Sequence, residues 1–328
     1  MSMSFTKFFV KTSFFLTLFC VSFLANSQDG KIVERKQVKW QDYDDLAFKI
    51  SENGKLHPQY SYIDSVLVEE IFYLSDGLRV KGYLAQPKYD GKFPCVIYNR
   101  GGNNEFGKLN VWKAFFILGK TASWGYVVAG SQYRGNDGGE GKEEFGGADV
   151  NDILNLVPLF KNLKNADVSN LGLYGWSRGG MMTYLALTKT NVFKVAIVGG
   201  AASDLRMVMD TRLDTFETVY IENIPGYEEH KAESLNSRSA IHRVEDICKT
   251  TPVLMLHGTA DWRVVPQMAL ELSAAFIKEG VPHRLVLFEG GDHGLREFND
   301  EVDFMVKNWL DKYLKNNHSL PDLVPHGR

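Results

Sequence analysis

The sequence predicts an α/β fold, a mainly parallel sheet with helices on both faces and a small inserted cap. Three observations predict it. Short, continuously apolar runs recur along the chain, as in strands covered on both faces. Helix-like stretches alternate with those runs, which argues for parallel strands joined by crossover helices. One polar stretch, about Asp204 to Asp246, interrupts the alternation and reads as an insertion rather than a separate domain.

At the start of the chain, Lys7 and Lys11 precede "FFLTLFCVSFL", Phe14 to Leu24, and Ala25 and Ser27 stand before Gln28. This is the layout of a secretory signal. The run is shorter than the roughly 20 residues of a spanning helix. Residues 1–27 are expected to be a signal peptide, giving a secreted or periplasmic chain with no stable membrane span after its removal. An uncleaved anchor is the alternative. Cys20 lacks the small residues that precede a lipidated cysteine.

Residues 28–64 are polar and mixed, and read as an N-terminal arm on the main domain with a short helix about Tyr43 to Lys49. The main domain is expected over 65–316. It opens with "VLVEEIFYLSDGLRVKGYLAQP", two alternating runs around a turn, which is a hairpin signal. The apolar runs follow: "FPCVIYN", "GYVVAGSQY", "LGLYGW", "KVAIVGG", "PVLMLHG" and "RLVLFEG". Helices are expected about Trp112 to Ser123, Ala148 to Leu163, Gly179 to Thr188, Gln267 to Glu279 and Glu301 to Leu314. Residues 317–328 form a polar tail.

Composition bounds the function. With 44% hydrophobic and 23% charged residues among 328, the chain is ordinarily globular and can bury a core without staples. A net charge of −3 and the lack of a basic stripe give no case for nucleic acid. Beyond the leader only Cys95 and Cys248 remain, too few for a disulfide framework. No HExxH, paired CxxC or EF-hand spacing occurs, so neither a metal nor a cofactor is expected. The expected partner is a peptide or small acyl ester substrate.

In such sheets ligands collect at the carboxyl ends of the strands. Four apolar runs end there in something chemical: Arg100-Gly101-Gly102, Ser177, Asp261 and His293. Gly175-Trp176-Ser177-Arg178-Gly179 fits G-x-S-x-G between a strand and a helix, the context that gives the pattern meaning. A helix N-terminus beside the serine supplies free N–H groups and partial positive charge. A serine needs a base, and the base needs an acid to fix its tautomer. His293 and Asp261 follow Ser177 in the order acid, then histidine, each in a loop after a strand.

The rival histidines are placed less well. His57 precedes the serine, His257 is inside an apolar run, and His230 and His242 are in the cap. His283 is at the opposite strand end, and His318 and His326 are in the tail. Asp292 adjoins His293 too closely to hold its far nitrogen, so Asp204 is the alternative acid. For the oxyanion, the Arg178 N–H follows the nucleophile, and the loop with Arg100 and Gly101 is the expected second source of donors.

These residues resemble the catalytic α/β-hydrolase domain of the prolyl oligopeptidase family of serine peptidases, from about Val66 to Leu314. "GWSRGG" is similar to its serine motif. "SQYRGNDGGEGKEEFGGADVNDI" resembles its glycine-rich segment, and "NSRSAIHRVEDICKTTPVLMLHGTADWRVVP" its approach to the aspartate. The resemblance implies acyl transfer by Ser177, Asp261 and His293, with Arg134, Asp149 and Asp152 shaping loops. Family members often carry an N-terminal β-propeller; residues 28–64 leave no room for one. They often have a tyrosine or histidine where this chain has Arg100, which either donates as a cation or turns away to an acid. The resemblance favours a peptidase. A carboxylic ester hydrolase is the close alternative, and a non-catalytic binding module the distant one. Arg100 and Arg178 together suggest an anionic substrate, and the cap is expected to carry specificity.

Overall fold

The computed structural model describes residues 28–327, apart from the side chains of residues 213 and 214. The signal-peptide reading of residues 1–27 falls outside the described residues. The strands are β1 (Ile32–Gln37), β2 (Ser51–Glu52), β3 (Lys55–Leu56), β4 (Val66–Ser75), β5 (Leu78–Pro87) and β6 (Phe93–Asn99). They continue with β7 (Val127–Ser131), β8 (Ala166–Trp176), β9 (Val195–Gly199), β10 (Val253–Gly258) and β11 (His283–Phe288). Apart from the small β2–β3 hairpin, they form one nine-stranded sheet in the order β1-β4-β5-β7-β6-β8-β9-β10-β11.

From β7 to β11 every pairing is parallel. The strands β1, β4 and β5 add an antiparallel edge. All residues of β6, β9 and β10 are buried, which is why they read as unbroken apolar runs. Cys95 and Ile97 enter one core and Val96 and Tyr98 the other, so the two cores lie on opposite faces. The β4–β5 turn is Asp76-Gly77, both at positive φ (52° and 80°), the two-residue turn that suits strand twist.

Helices match the expected alternation: residues 111–123, residues 150–161 in two pieces, Arg178–Leu187, Gln267–Glu279 and Asn299–Leu310. The cap stretch carries two helices, Leu205–Asn223 and Lys231–Ser237. The first breaks at Arg212, where φ is −146° and ψ is 39°. Leu205, Val208, Tyr220, Ile224 and Tyr227 join the larger core, so this stretch packs on the sheet's helical layer.

The arm is more than a covering segment. Residues 32–37 pair with β4 as the outermost strand, and the helix Asp44–Ile50 buries Leu46 and Ile50. Sequence pattern hid this strand because five of its six positions are solvent-exposed, so no apolar alternation marks it.

A buried ion pair ties the antiparallel edge to the segment after β7. The Arg134 guanidinium donates to Asp152 at 2.8–3.2 Å, the Arg134 backbone N–H donates to the same carboxylate at 2.8 Å, and Ser75 Oγ donates to it at 2.6 Å. Burial pushes the Asp152 carboxyl up to about 6 against the pull of Arg134 and Ser75, so it remains charged at neutral pH. Asp152→Ala leaves the buried guanidinium only Asp76, 2.8 Å away at the surface, and the expected loss is about 3 kcal/mol in urea unfolding. A loss below about 1 kcal/mol, the range of exposed pairs, would contradict that role.

Candidate active site

Ser177 stands between β8 and the helix Arg178–Leu187 with φ 59° and ψ −125°. A side-chain-bearing residue adopts such dihedrals only when its surroundings impose them. Here its N–H donates to Gly199 O at 2.8 Å, binding the turn to β9. The turn is also wedged between strands: a Cβ on Gly179 would come 1.9 Å from Asn99 O, so only glycine fits. Asn99 at the end of β6 donates to Thr183 Oγ1 of the same helix at 2.9 Å. Gly101 packs against the serine, and a Cβ there would stand 3.1 Å from Ser177 Cβ and 3.0 Å from Trp176 O. The serine corner and the Arg100–Gly102 loop are thus in direct contact.

Asp261 and His293 meet after β10 and β11. His293 Nδ1 is 2.7 Å from Asp261 Oδ2. Asp261 Oδ1 accepts the N–H groups of Arg263 and Val264 at 2.9 and 3.0 Å. The His293 carbonyl accepts the Trp176 indole N–H at 2.8 Å, which links the histidine loop to the serine strand. Burial alone would raise the Asp261 carboxyl. Hydrogen bonds from His257 and His293, the charge of His293 and the Val264 N–H outweigh it and hold the group well below the usual carboxylate range.

The rival residues have other partners. His257 is buried, with Nε2 2.8 Å from Val264 O and 3.4 Å from Asp261 Oδ2, so it braces the aspartate loop. Asp204 caps the helix Leu205–Asn223, accepting from the N–H groups of Arg206 and Met207. Asp292 accepts the Gly294 N–H within its own turn. His283 bonds Ser273 and Val281 O beside the sheet's outer strand. Cys95 and Cys248 are both free thiols.

The two arginines near the serine are a correction to the sequence reading. Neither presents a cation to substrate. Arg100 is 1% exposed, and its guanidinium donates to the carbonyls of Gln132, Asn104 and Gly101 at 2.8–3.2 Å. It folds the loop 100–107 around itself. Arg178 donates to Glu143 at 2.5 Å, Asp149 at 2.6 Å and Gly102 O at 2.9 Å. Its guanidinium also stacks over Phe145 and Tyr133. Burial disfavours its charge, but Glu143 and Asp149 prevail and raise its pKa. The suggestion that this pair selects anionic substrates is therefore withdrawn: their charges are neutralised inside the protein.

Glu143 is the residue the sequence reading missed. It is 2% exposed and lies 3.6 Å from Arg100. It takes hydrogen bonds from Arg178, from Asn136 at 2.7 Å and from the Asn104 N–H at 3.2 Å. In "GGEGKEEFGG" nothing distinguishes it from Glu140 or Glu144.

Ser177 and His293 open on one cavity of about 370 Å³. Its wall is mainly apolar, with Phe145, Met181, Val208, Phe216, Tyr220 and Val264. Most of one side comes from the helix Leu205–Asn223 of the cap. Trp262, 66% exposed, stands at the rim. Among the described residues no cluster of metal-ligating side chains occurs, and no helix is long and apolar enough to cross a membrane.

A doubly covered parallel sheet with a strained serine at a strand–helix turn, and an Asp–His pair facing its cavity, defines a serine hydrolase of the α/β-hydrolase fold. The chain belongs to the prolyl oligopeptidase family, whose model matches residues 112–317. It is 33% identical over 195 residues to the uncharacterized peptidase YtmA of Bacillus subtilis, covering 59% of this chain and 73% of that one. It is 29% identical over 267 residues to the uncharacterized peptidase YuxL of the same organism, covering 75% of this chain and 39% of that protein. In structure it is similar to an acylaminoacyl peptidase of Pyrococcus horikoshii, with a TM-score of 0.66 and 21% identity over 86% of this chain and 45% of the other. A puromycin-hydrolyzing peptidase of Mycobacterium tuberculosis shares the fold at a TM-score of 0.62 and 24% identity, over 80% of this chain and 42% of that one. The chain thus spans less than half the length of YuxL and of both structures.

Glu143→Ala would leave two buried guanidiniums short of a counter-charge, and the expected destabilisation is about 3–5 kcal/mol. Glu143→Gln keeps the volume and part of the hydrogen bonding, so its loss should be smaller, with kcat falling more than KM rises as the loop over Ser177 loosens. Urea unfolding and steady-state kinetics on the same samples check both.

Proposed function

We propose that the protein is an exported serine peptidase that works through an acyl-enzyme on Ser177. The observation that carries this reading is the 2.7 Å Asp261–His293 pair opening on the same apolar cavity as the strained serine. With Nδ1 engaged by Asp261, His293 has Nε2 left to take the Ser177 proton. Ser177 Oγ then attacks the substrate carbonyl. The new oxyanion is met by the Arg178 N–H at the helix start and by the Gly101 loop, where helix polarity favours negative charge. His293 returns its proton to the leaving group, and water, activated by the same histidine, releases the acyl group. The apolar wall suits a substrate whose acyl side carries a medium-sized apolar side chain. Export is supported by the lysine-flanked apolar run and the small residues before Gln28.

Ser177→Ala should abolish labelling by a fluorophosphonate probe together with hydrolysis; labelling that persists in the variant would sink the proposal. Peptide amides compared with p-nitrophenyl acyl esters decide between bond types, and ester turnover with no amide cleavage across a diverse library would assign a carboxylic ester hydrolase instead.

Asp261→Asn should lower kcat by about four orders of magnitude, the scale for losing the tautomer-fixing carboxylate. Its depressed folded pKa also has a stability consequence. The contribution is present above the unfolded value, about 3.9, and is lost as pH falls through the lower folded value. The acid limb of kcat/KM should therefore show no inflection between about pH 4 and pH 5 that Asp261→Asn removes, which a pH–rate profile of both proteins checks.

A further inference from the structure

Four arginines surround the site, and they differ in kind. The Arg100 guanidinium is taken up by backbone carbonyls, and the two terminal nitrogens of Arg178 by Gly102 O, Glu143 and Asp149. Arg212 and Arg263 line the cavity, and among the described residues neither has a carboxylate partner. The hydrogen bond recorded for the Arg212 side chain is a long one, 3.5 Å to Arg263 O. Its guanidinium is flanked by two aromatic rings, 4.7 Å from the centroid of Phe216 and 5.3 Å from that of Trp262. Arg263 packs on the same indole at 5.5 Å. Stacking holds a guanidinium by its face and leaves its N–H edge free for an acceptor.

Burial and the like charge of Arg263 both lower the Arg212 pKa, a sign of how closely the two cations stand. Asp261 also lies within their field, but its carboxylate is occupied by His293 and by the Arg263 and Val264 N–H groups. The pair therefore makes a positive rim over an apolar cavity. A cavity of 370 Å³ is roughly two to three extended residues across, at about 3.5 Å per residue. An anion held at its rim is that close to the carbonyl attacked by Ser177.

Given the hydrolase read above, we propose that Arg212, with Arg263 beside it, selects substrates that carry a carboxylate within two or three residues of the scissile bond. Arg212 is a specificity residue, and the arginines that flank the oxyanion are not. The substrate class is an apolar acyl residue bearing a nearby acid, such as a peptide with a dicarboxylic group next to a large apolar side chain.

The test compares N-succinyl-phenylalanine and N-acetyl-phenylalanine p-nitrophenyl esters, which differ by one carboxylate. The protein is expected to favour the succinyl ester in kcat/KM by about tenfold, the scale of one charge-assisted hydrogen bond. Arg212→Gln should bring that ratio close to one, mainly by raising KM for the succinyl ester, and Arg212→Lys should restore part of it. In the unsubstituted protein the ratio should fall as salt rises from about 0.02 M to about 0.5 M, a measurement that needs no variant. A ratio near or below one in the unsubstituted protein, or a ratio that Arg212→Gln leaves in place, would overturn the proposal. Turnover of the N-acetyl ester that survives Ser177→Ala would instead overturn the hydrolase reading, and the proposal with it.

Discussion

The turn that holds Ser177 depends on one buried charge cluster. Arg178 starts the helix behind the serine and reaches Glu143 and Asp149, while Arg100 leaves the end of β6 and stands beside the same glutamate. Two cations and two anions are thereby held almost free of solvent. Breaking such a cluster leaves an uncompensated buried charge, which is far more costly than an exposed pair lost to water. The cluster also joins pieces distant in sequence. The loop 100–107, the glycine-rich segment around Glu143, the acidic turn at Asp149 and the serine helix all terminate on it. Its consequence for the serine is indirect: it holds the Gly101 loop against Ser177.

The proposed reactive residues and the cavity wall are built from different material. Ser177, Asp261 and His293 are carried on loops after β8, β10 and β11, whose parallel register brings the three strand ends to one edge. Of these, β10 is buried along its whole length and β8 is buried over Leu171–Leu173 just before the serine, whereas β11, at the sheet's edge, buries only Phe288 at its end. The cavity wall comes largely from the cap helix Leu205–Asn223, which is broken at Arg212 and half exposed. A hydrolase can therefore keep its chemistry while the cap alters what it accepts. The contrast among the arginines follows their place around the cavity: Arg100 and Arg178 behind the serine pair inside the protein, whereas Arg212 on the cap helix and Arg263 in the loop after β10 line the cavity and, among the described residues, have no carboxylate partner.

Much of this was legible in the sequence. Apolar runs without alternation marked β6, β9 and β10, because both of their faces are covered. The glycines around Ser177 marked its turn, because a Cβ at Gly179 would overlap Asn99 O. The order of Ser177, Asp261 and His293 located a loop for each. By contrast, β1 was illegible because its side chains face water and it is held by backbone hydrogen bonds, which any sequence can make. Glu143 was illegible because its neighbours Glu140 and Glu144 have the same chemistry, and only folding decides which of them is enclosed.

The sequence by itself determined the layering, the parallel sheet and the three polar groups delivered to its edge, since periodicity and turn residues act over a few positions. Only the tertiary structure decided what each charge meets. Arg100 and Arg178 looked like free cations because their counter-charges lie some forty residues or more away from Arg100 and about thirty from Arg178 along the chain. Arg212 and Arg263 drew no notice because nothing local marks which cations will line a cavity. Electrostatic pairing is settled by distance in space and by exclusion of water, and neither quantity exists until the chain has folded.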